Sequence, residues 1–458
     1  MERHVHEESY RPIASLDTVN LETDLKRPLT GSDTSRTSTP YLVALTLTVM
    51  LASYANYLKD RLDPSGFTLG GQAPGIYLPI LAFPLIFVLW LLCRSWSPRN
   101  PWLLAFLGAL AAAWIVHFIL IRIHNDLYPQ TIWLLPLIIA MLAWKPPTWE
   151  ASWIALRVLA WTALGIMILT FALEQLGLVP QFFTGGPELT EFELENYWLP
   201  LREVFGLDGR WPGPFGHISK TAFMSSVIII IAVADRGWQR WLLLAGGMIG
   251  MLLTGGRGGY LALVAGLAVL LIFARTGPFS RIPVTLRLIT GAALATAGAF
   301  TLYSLGSLGL TGRQELWAGY LNLWQTSPLI GVGQSGISTS PQIVTWMESS
   351  WMDAHSLYIE QLTQFGILGS LFIGIVLLLS ITLTIKSAWR GHPAPAALLT
   401  TYMVAGLTDL LHENLQILST PILLLILISI ASSTLTNTTR SRQRMADTME
   451  AAPESADQ

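Results

Sequence analysis

The chain has 458 residues, of which 52% are apolar and only 12% are charged. A soluble protein carries about 25% charged residues, so the polar side chains here are too few to cover a globule of this length. Lysine plus arginine (27) nearly balance aspartate plus glutamate (29), which excludes a nucleic acid as partner. Cys93 is the single cysteine, which excludes an intramolecular disulfide and a cysteine metal site. The composition therefore indicates a polytopic membrane protein.

The order of polar and apolar segments along the chain also indicates a polytopic membrane protein. Residues 1–40 are polar and lack the apolar core of a signal peptide. After them come apolar stretches that can cross the hydrocarbon layer, which takes about 17–25 helical residues. We predict an all-α fold, a polytopic bundle of about twelve transmembrane helices in residues 41–434, with polar cytoplasmic tails at 1–40 and 435–458. The predicted spans are Tyr41–Leu58, Pro74–Cys93, Pro101–Ile121, Thr131–Trp144, Trp153–Leu173, His217–Ala234, Gln239–Thr254, Gly259–Arg275, Val284–Leu305, Leu357–Ile385, Pro395–Leu411 and Gln416–Ser432.

Charge predicts the orientation of the bundle. Lysine and arginine concentrate in alternate short connections, while the intervening ones are rich in acid. Positive charge stays on the cytoplasmic side of a membrane, so we expect both termini in the cytoplasm. The predicted cytoplasmic connections contain Arg94, Arg99, Lys145, Arg236, Arg240, Arg275, Arg281, Arg287, Lys386 and Arg390.

Two connections on the opposite side, Glu174–Gly216 and Gly306–Ala354, are longer than simple turns. Both contain more aromatic and leucine residues than a disordered segment would. Within the second, Gln314–Gln325 carries apolar residues at a helical period. We therefore expect two folded exoplasmic loops, at 174–216 and 306–354, that cover the outer mouth of the bundle, with amphipathic helices on the membrane surface.

Three basic residues on the exoplasmic side are candidates for binding an anion. Arg257 lies in the glycine-rich turn TGGRGGY, where backbone N–H groups and the guanidinium are open to a ligand near a helix start. Arg210 directly precedes a proline- and glycine-rich entry into the membrane. Lys220 lies one turn inside the following helix. The alternatives are an arginine or lysine that extends to the interface, and a solvated loop charge.

His355 is the candidate proton acceptor. It ends the second long loop and precedes a long apolar helix. An imidazole can take a proton from a sugar hydroxyl near neutral pH, which arginine cannot do. Asp353 and Glu360 are candidate orienting groups. The alternative is a structural histidine at a helix start.

Several other polar residues are weaker candidates for a functional site. Asp409 and Glu413 gather at the outer end of one span, where ionisable groups are costly and often functional. We interpret His117, inside a span, as a packed and hydrogen-bonded side chain. The acidic run Glu188–Glu195 is either a divalent-cation site or solvated acid, and no Asp-x-Asp pair is present.

Three stretches together resemble one family. His355 and Ser356 are followed, after nine residues, by Gly366 and then by Gly369. This spacing resembles the histidine signature of the O-antigen ligase and bacterial O-oligosaccharyltransferase family. The turn TGGRGGYLAL resembles the family's Ser-Arg-Gly turn, with glycine where serine is common. The stretch GRQELWAGYLNLWQTSPLIGVG, at 312–333, resembles its Arg…Trp…Pro-Leu-x-Gly-x-Gly loop.

The resemblance implies an inverting membrane glycosyltransferase. It would transfer a glycan from a polyprenyl diphosphate carrier to an acceptor hydroxyl outside the cytoplasmic membrane, with no nucleotide sugar, metal or other cofactor. His355 matches the family's proposed base, Arg257 its turn arginine, and Arg210 the arginine of its earlier loop, without the asparagine that follows it there. The candidate supporting residues are Arg313, Lys220, Asp353 and Glu413.

Several functions remain open at this stage. The acceptor is lipid A–core in an O-antigen ligase, our first interpretation; another lipid-linked repeat in a polysaccharide polymerase; and a protein hydroxyl in an O-oligosaccharyltransferase. A transporter or flippase also fits about twelve helices. A transporter, however, is expected to carry ionisable residues near the midplane, which is almost free of charge here. A non-catalytic scaffold for envelope assembly is the third class.

Overall fold

The computed structural model describes a part of the chain that belongs to one compact unit, Ser35–Gln458. The described residues are 148–179, 211–215, 218–273, 281–291, 313–340, 354 and 356–408, with isolated positions within 39–54, 109–124, 293–296 and 426–430.

The described residues form helices and turns and contain no strand. Several predicted spans are confirmed as helices, and Gln239–Thr254 has the predicted bounds. Among the described residues, two helices, Trp149–Gln175 and Leu357–Trp389, are long and apolar enough to cross a membrane. The count of about twelve stays a prediction, because other spans lie partly or wholly outside the described residues. The helices are α1 (Trp149–Gln175), α2 (Ile218–Ala234), α3 (Gln239–Thr254), α4 (Arg257–Ile272), α5 (Arg313–Thr326), α6 (Gly333–Thr339), α7 (Leu357–Trp389) and α8 (Ala394–Thr408).

One end of the bundle, which we call the basic end, joins the start of α1 to two interhelical turns. The Nε of Arg157 lies 3.1 Å from Oδ2 of Asp235, between α2 and α3. The ring centroids of Trp149 and His392, the latter between α7 and α8, are 4.7 Å apart. The turn between α2 and α3 and the turn between α7 and α8 thus lie at one end of the bundle. This agrees with the prediction that basic and acidic connections alternate along the chain. Basic residues on these turns and helix ends are Arg236, Arg240, Lys386 and Arg390.

The opposite end contains the last turn of α1, the turn between α3 and α4, and the start of α7. Glu174, in that last turn, accepts a hydrogen bond from the indole of Trp211. Leu357, at the start of α7, lies against Gly406 near the end of α8. The two exoplasmic loops predicted from the sequence begin or end here. Their described parts include a 3-10 turn, Gly213–Phe215, and helices α5 and α6.

Helix α2 is the centre of the bundle, and its neighbours approach it through small residues. It is buried continuously from Lys220 to Ala232. A Cβ added at Gly247 of α3 would lie 2.7 Å from the Ile229 side chain of α2. Between apolar helices in a membrane, close packing at small residues replaces the hydrophobic drive that water supplies in soluble proteins. The absence of a side chain at Gly247 therefore permits the close packing of α3 against α2, the central helix.

Helix α7 is broken at Gly366, and the loop before α6 closes the break. Gly366 has φ 62° and ψ −167°, a backbone conformation that is essentially restricted to glycine. The N–H groups of Ile367 and Leu368 donate to the carbonyls of Pro328 and Leu329, at 2.8 and 2.9 Å. Buried backbone groups need such partners. The second long loop is therefore joined to α7 by backbone hydrogen bonds.

We predict that Gly366→Ala destabilises the protein. The new Cβ would lie 2.5 Å from backbone atoms of Leu329 and Gly331, and the backbone strain alone costs about 1–3 kcal/mol. The measurement is thermal unfolding in detergent. The matched control is Gly374→Ala in the same helix, where an added Cβ meets nothing within 4 Å. Equal melting temperatures for the two variants would contradict the assignment of Gly366 as the closure point.

Candidate active site

The structure describes the predicted site residues unequally. His355, Arg210, Asp353 and Glu413 lie outside the described residues. Arg257 and Arg313 have a described backbone, each at the first position of a helix, but no described side chain. Lys220 is described in full, and it is 9% exposed in the first turn of α2. The candidate site is therefore characterised by the segments that adjoin these residues.

The glycine-rich turn of Arg257 joins α3 to α4, as the sequence predicts. Gly255 ends α3 in the left-handed conformation, with φ 60°, and its N–H donates to the Met251 carbonyl at 3.1 Å. Gly256 is the N-cap of α4 and has no side chain to cap the first turn. The first N–H groups of a helix have no intrahelical partner and carry partial positive charge. Arg257 thus begins a helix whose end attracts anions.

Two glycines of this turn serve helix packing rather than ligand access. A Cβ added at Gly256 would lie 2.6 Å from the Ala222 Cβ of α2, and one at Gly259 would lie 2.5 Å from it. The Ser226 hydroxyl donates to the Gly259 carbonyl at 2.9 Å. The first turns of α4 and α2 are therefore in direct contact. This contact brings the buried Lys220 and the start of α4 to the same region.

Trp211, the neighbour of Arg210, is held against the same turn. Its backbone N–H donates to the carbonyl of Leu253, in the last turn of α3, at 3.0 Å. Its indole Nε1 donates to Oε2 of Glu174 at 2.6 Å, and its ring packs edge-on against Phe171 of α1. Trp211 is 1% exposed and Glu174 is 2% exposed. Neither residue of this pair is a candidate from the sequence, in which the one signal is an acid at the end of an apolar span.

The residues on both sides of His355 are also fixed. The Trp317 indole of α5 donates to the carbonyl of Ala354 at 2.7 Å, and Ala354 is fully buried. Ser356 is the N-cap residue of α7, and its carbonyl accepts from the Glu360 N–H at 3.1 Å. Ala354 belongs to a small apolar cluster with residues of α5 and α6. Ala354 and Ser356, the described neighbours of His355, are therefore each held by hydrogen bonds.

Arg313 begins α5 one turn before Trp317. Residues four apart in a helix lie on the same face. Trp317 uses this face to contact Ala354, so the backbone places Arg313 on the side of α5 that faces the start of α7. The helical period in Gln314–Gln325 is confirmed, because α5 covers that segment.

In the first turns of α7, amide and carboxylate side chains form a hydrogen-bond network. Gln364 donates to Oε1 of Glu360 at 2.7 Å and to Oε1 of Gln334 in α6 at 2.6 Å. Gln361 lies 2.5 Å from Nε2 of His117, whose ring packs on Phe365. The prediction for His117, packed and hydrogen-bonded, is thus confirmed. The glutamines were missed, because an isolated amide in an apolar span carries no local signal of its partner.

Helix α8 contacts both α4, which begins at Arg257, and α7, which begins two residues after His355. Leu357 of α7 packs against Gly406, and the Tyr358 hydroxyl donates to the Met403 carbonyl at 2.9 Å. Nearer the start of α8, the carbonyl of Ala397 lies 3.2 Å from the position of a Cβ added at Gly266, in the second half of α4. The starts of α4 and α7 therefore lie at the same end of the bundle. Among the described residues, no group of three or more histidine, cysteine or acidic side chains is arranged to hold a metal ion.

We predict that Trp317→Phe destabilises the segment around His355. The variant keeps an aromatic ring but removes the donor to a fully buried carbonyl, and an unsatisfied buried group costs about 1–3 kcal/mol. The measurement is thermal unfolding in detergent. Trp324→Phe in the same helix is the control, because its indole bond to Pro328 is exposed and water can replace it. A loss of stability that is no larger than in the control would contradict the role of Trp317.

A family model described as O-antigen ligase matches residues 241–374, less than a third of the chain. The match extends from the first turn of α3 into α7 and includes Arg257, Arg313 and His355. No curated protein matches the chain. The resemblance inferred from the three motifs is thereby confirmed.

Proposed function

We propose a specific glycan-transfer reaction from the match of residues 241–374 to the O-antigen ligase family. That family implies a membrane glycosyltransferase that acts on lipid-linked glycans. The protein transfers a glycan from a polyprenyl diphosphate to an acceptor hydroxyl at the outer face of the cytoplasmic membrane. Lipid A–core is the first candidate acceptor. A second lipid-linked repeat and a protein hydroxyl are the alternatives within the same reaction class.

The observation that carries the proposal is the hydrogen bond from the Trp211 N–H to the Leu253 carbonyl. It joins the segment that follows Arg210 to the turn that leads into Arg257. Two guanidiniums from these segments would bind the diphosphate through several oxygens and stabilise the charge that develops as it leaves. The uncapped start of α4 and the buried Lys220 add positive charge at the same end. This arrangement supports a leaving-group site that needs no metal.

His355 is the proposed general base. It removes the proton of the acceptor hydroxyl while that oxygen attacks the anomeric carbon. The bond from this carbon to the diphosphate oxygen breaks, and the diphosphate leaves with the electron pair. Attack opposite the leaving group inverts the anomeric centre. The fixed positions of Ala354 and Ser356 support this role, since a base must be held within reach of the proton it takes.

The proposed orientation places the basic end in the cytoplasm and the candidate site outside, with both termini cytoplasmic. The basic residues at that end support it, because positive charge stays on the cytoplasmic side. Trp238, Trp241 and Trp389, at the same end, are highly exposed (71, 58 and 60%). Exposed tryptophans beside arginines and lysines are typical of a membrane–water interface. The domain organisation that we propose with this orientation has polar tails at 1–40 and 435–458, and a transferase domain at 41–434 with loops 174–216 and 306–354.

We predict that His355→Ala leaves a folded protein with about 10²–10⁴-fold less glycan transfer, the usual contribution of a general base. The measurement is transfer by the purified protein, together with its melting temperature. His392→Ala is the control at the basic end. His392 lies in the turn between α7 and α8, against the Trp149 ring, and burial lowers the pKa of its imidazole. Transfer by His355→Ala at the wild-type rate would exclude the base role.

Arg257→Ala is expected to lower transfer about 10²–10³-fold, as the loss of one donor to a developing charge does elsewhere. Arg240→Ala is the matched control: Arg240 lies over the Trp241 ring at the basic end, 4.6 Å from its centroid.

The same transfer assay, run in excess EDTA, tests whether the reaction is independent of metal ions. We expect the wild-type protein to keep its activity. Activity that disappears in EDTA and returns with Mg²⁺ would contradict the metal-free reaction.

Complementation distinguishes the acceptors. The chain is expressed in strains that lack either the ligase or the repeat-unit polymerase, and the length and attachment of the glycan are read on a gel. Rescue of the ligase-deficient strain is expected. Rescue of the polymerase-deficient strain alone would replace lipid A–core by a second lipid-linked repeat as the acceptor.

A further inference from the structure

The turn between α2 and α3 contains one acidic residue, Asp235, which is buried against α1. Its side chain is 5% exposed, and its Oδ2 lies 3.1 Å from Nε of Arg157. Its Oδ1 accepts the indole N–H of Trp153 at 3.4 Å. Nη2 of Arg157 also donates to Oε1 of Gln239 at 3.0 Å, on the other side of the turn. One guanidinium of α1 thus neutralises the acid and holds both ends of the turn.

Two arginines at this turn remain at the surface. Arg236 is exposed and Arg240, in the first turn of α3, is partly exposed. Between them, Gly237 has φ 108°, and a Cβ added there would meet nothing within 4 Å. Because Asp235 is paired with Arg157, the surface of the turn carries net positive charge. The open space beside Gly237 leaves room for an anion between the two arginines.

Two exposed tryptophans lie beside these arginines. Trp238 is 71% exposed and Trp241 is 58% exposed. Cζ of Arg240 lies over the Trp241 ring, 4.6 Å from its centroid. A guanidinium that stacks on a ring keeps the N–H groups of its edge for phosphate oxygens. An indole with an apolar body and a polar N–H is suited to the headgroup level of a membrane. We call Arg236, Trp238, Arg240 and Trp241 the arginine–tryptophan patch.

We propose that the arginine–tryptophan patch binds the headgroup of an anionic phospholipid in the leaflet that the basic end faces. The two guanidiniums attract a headgroup with net negative charge, and basic residues beside an anionic leaflet each add to the binding. The ammonium of a zwitterionic headgroup cancels the charge of its phosphate, so the patch discriminates against such lipids. The patch lies at the end of the bundle opposite to the candidate site and has no part in glycan transfer, so Arg240→Ala stays a control for that reaction.

The test is thermal unfolding of the full-length protein in a nonionic detergent, with added phosphatidylglycerol or with phosphatidylcholine of the same acyl chains. A ligand of the folded state raises the melting temperature as its concentration rises, which gives a dissociation constant for each lipid. We expect the lower dissociation constant for phosphatidylglycerol. Arg236→Gln and Arg240→Gln should each reduce this preference about fivefold, and the double variant about 25-fold.

The matched control for net charge is Arg122→Gln. Arg122 is exposed and lies two residues before His124, whose Nε2 is 3.0 Å from the Ile330 carbonyl of the second loop. This variant removes the same charge away from the patch and should leave the lipid preference unchanged. Trp238→Ala should weaken the binding of both lipids to a similar degree, because the indole does not recognise the charge of the headgroup.

The ratio of the two dissociation constants separates lipid recognition from stability. A variant that is only less stable melts at a lower temperature without lipid but keeps the wild-type ratio, and that result for Arg236→Gln and Arg240→Gln would overturn the proposal. Equal dissociation constants for the two lipids in the wild-type protein would also overturn it. So would equal stabilisation by inorganic phosphate, which would make the ligand a free anion. A preference that Arg122→Gln lowers as much as Arg236→Gln would assign the effect to net charge and exclude the patch.

Discussion

Backbone polar groups must be satisfied inside this protein, and that constraint organises its candidate site. In a membrane-spanning chain, water cannot supply the missing partners of a broken helix. The break in α7 at Gly366 is closed by carbonyls of Pro328 and Leu329. The end of α3 receives the Trp211 N–H, and the chain before α7 receives the Trp317 indole. At each interruption, a segment distant in sequence supplies the hydrogen bond, and these bonds draw the long loops onto the bundle.

The histidine signature contains two kinds of residue. His355 is the candidate for chemistry, while the glycines that follow it are explained by architecture. Gly366 adopts a conformation that other residues avoid and meets the backbone of Gly331. A Cβ added at Gly369 would lie 2.5 Å from the Cβ of Phe365 and 3.2 Å from the side chain of Leu120. The spacing between histidine and glycine is therefore the length of α7 from its start to the point where the second loop docks.

The distribution of charge along the bundle agrees with the anionic lipid donor that we propose. The basic end carries an ion pair between Arg157 and Asp235 and exposed tryptophans, which agree with an interface. At the opposite end, the start of α4 and Lys220 supply positive potential, while Glu174 is buried and engaged by Trp211. An acid that is hydrogen-bonded away from solvent disturbs an anion site less than an exposed one would. Both ends thus carry positive charge, and the end with the start of α4 is the one that adjoins the proposed site.

The sequence alone determined the apolar spans, the approximate positions of several helices, the helix in the second loop and the resemblance to the O-antigen ligase family. These depend on local quantities: the hydropathy of each stretch, its period, and the order of short motifs. The tertiary structure decided which segments meet. Nothing local shows that Glu174 accepts from Trp211, that Gln364 reaches Gln334, or that Gly256 packs on Ala222. A hydrogen bond between distant residues depends on which groups the folded helices bring within about 3 Å, and hydropathy, which describes each residue's preference for solvent, contains no such distance.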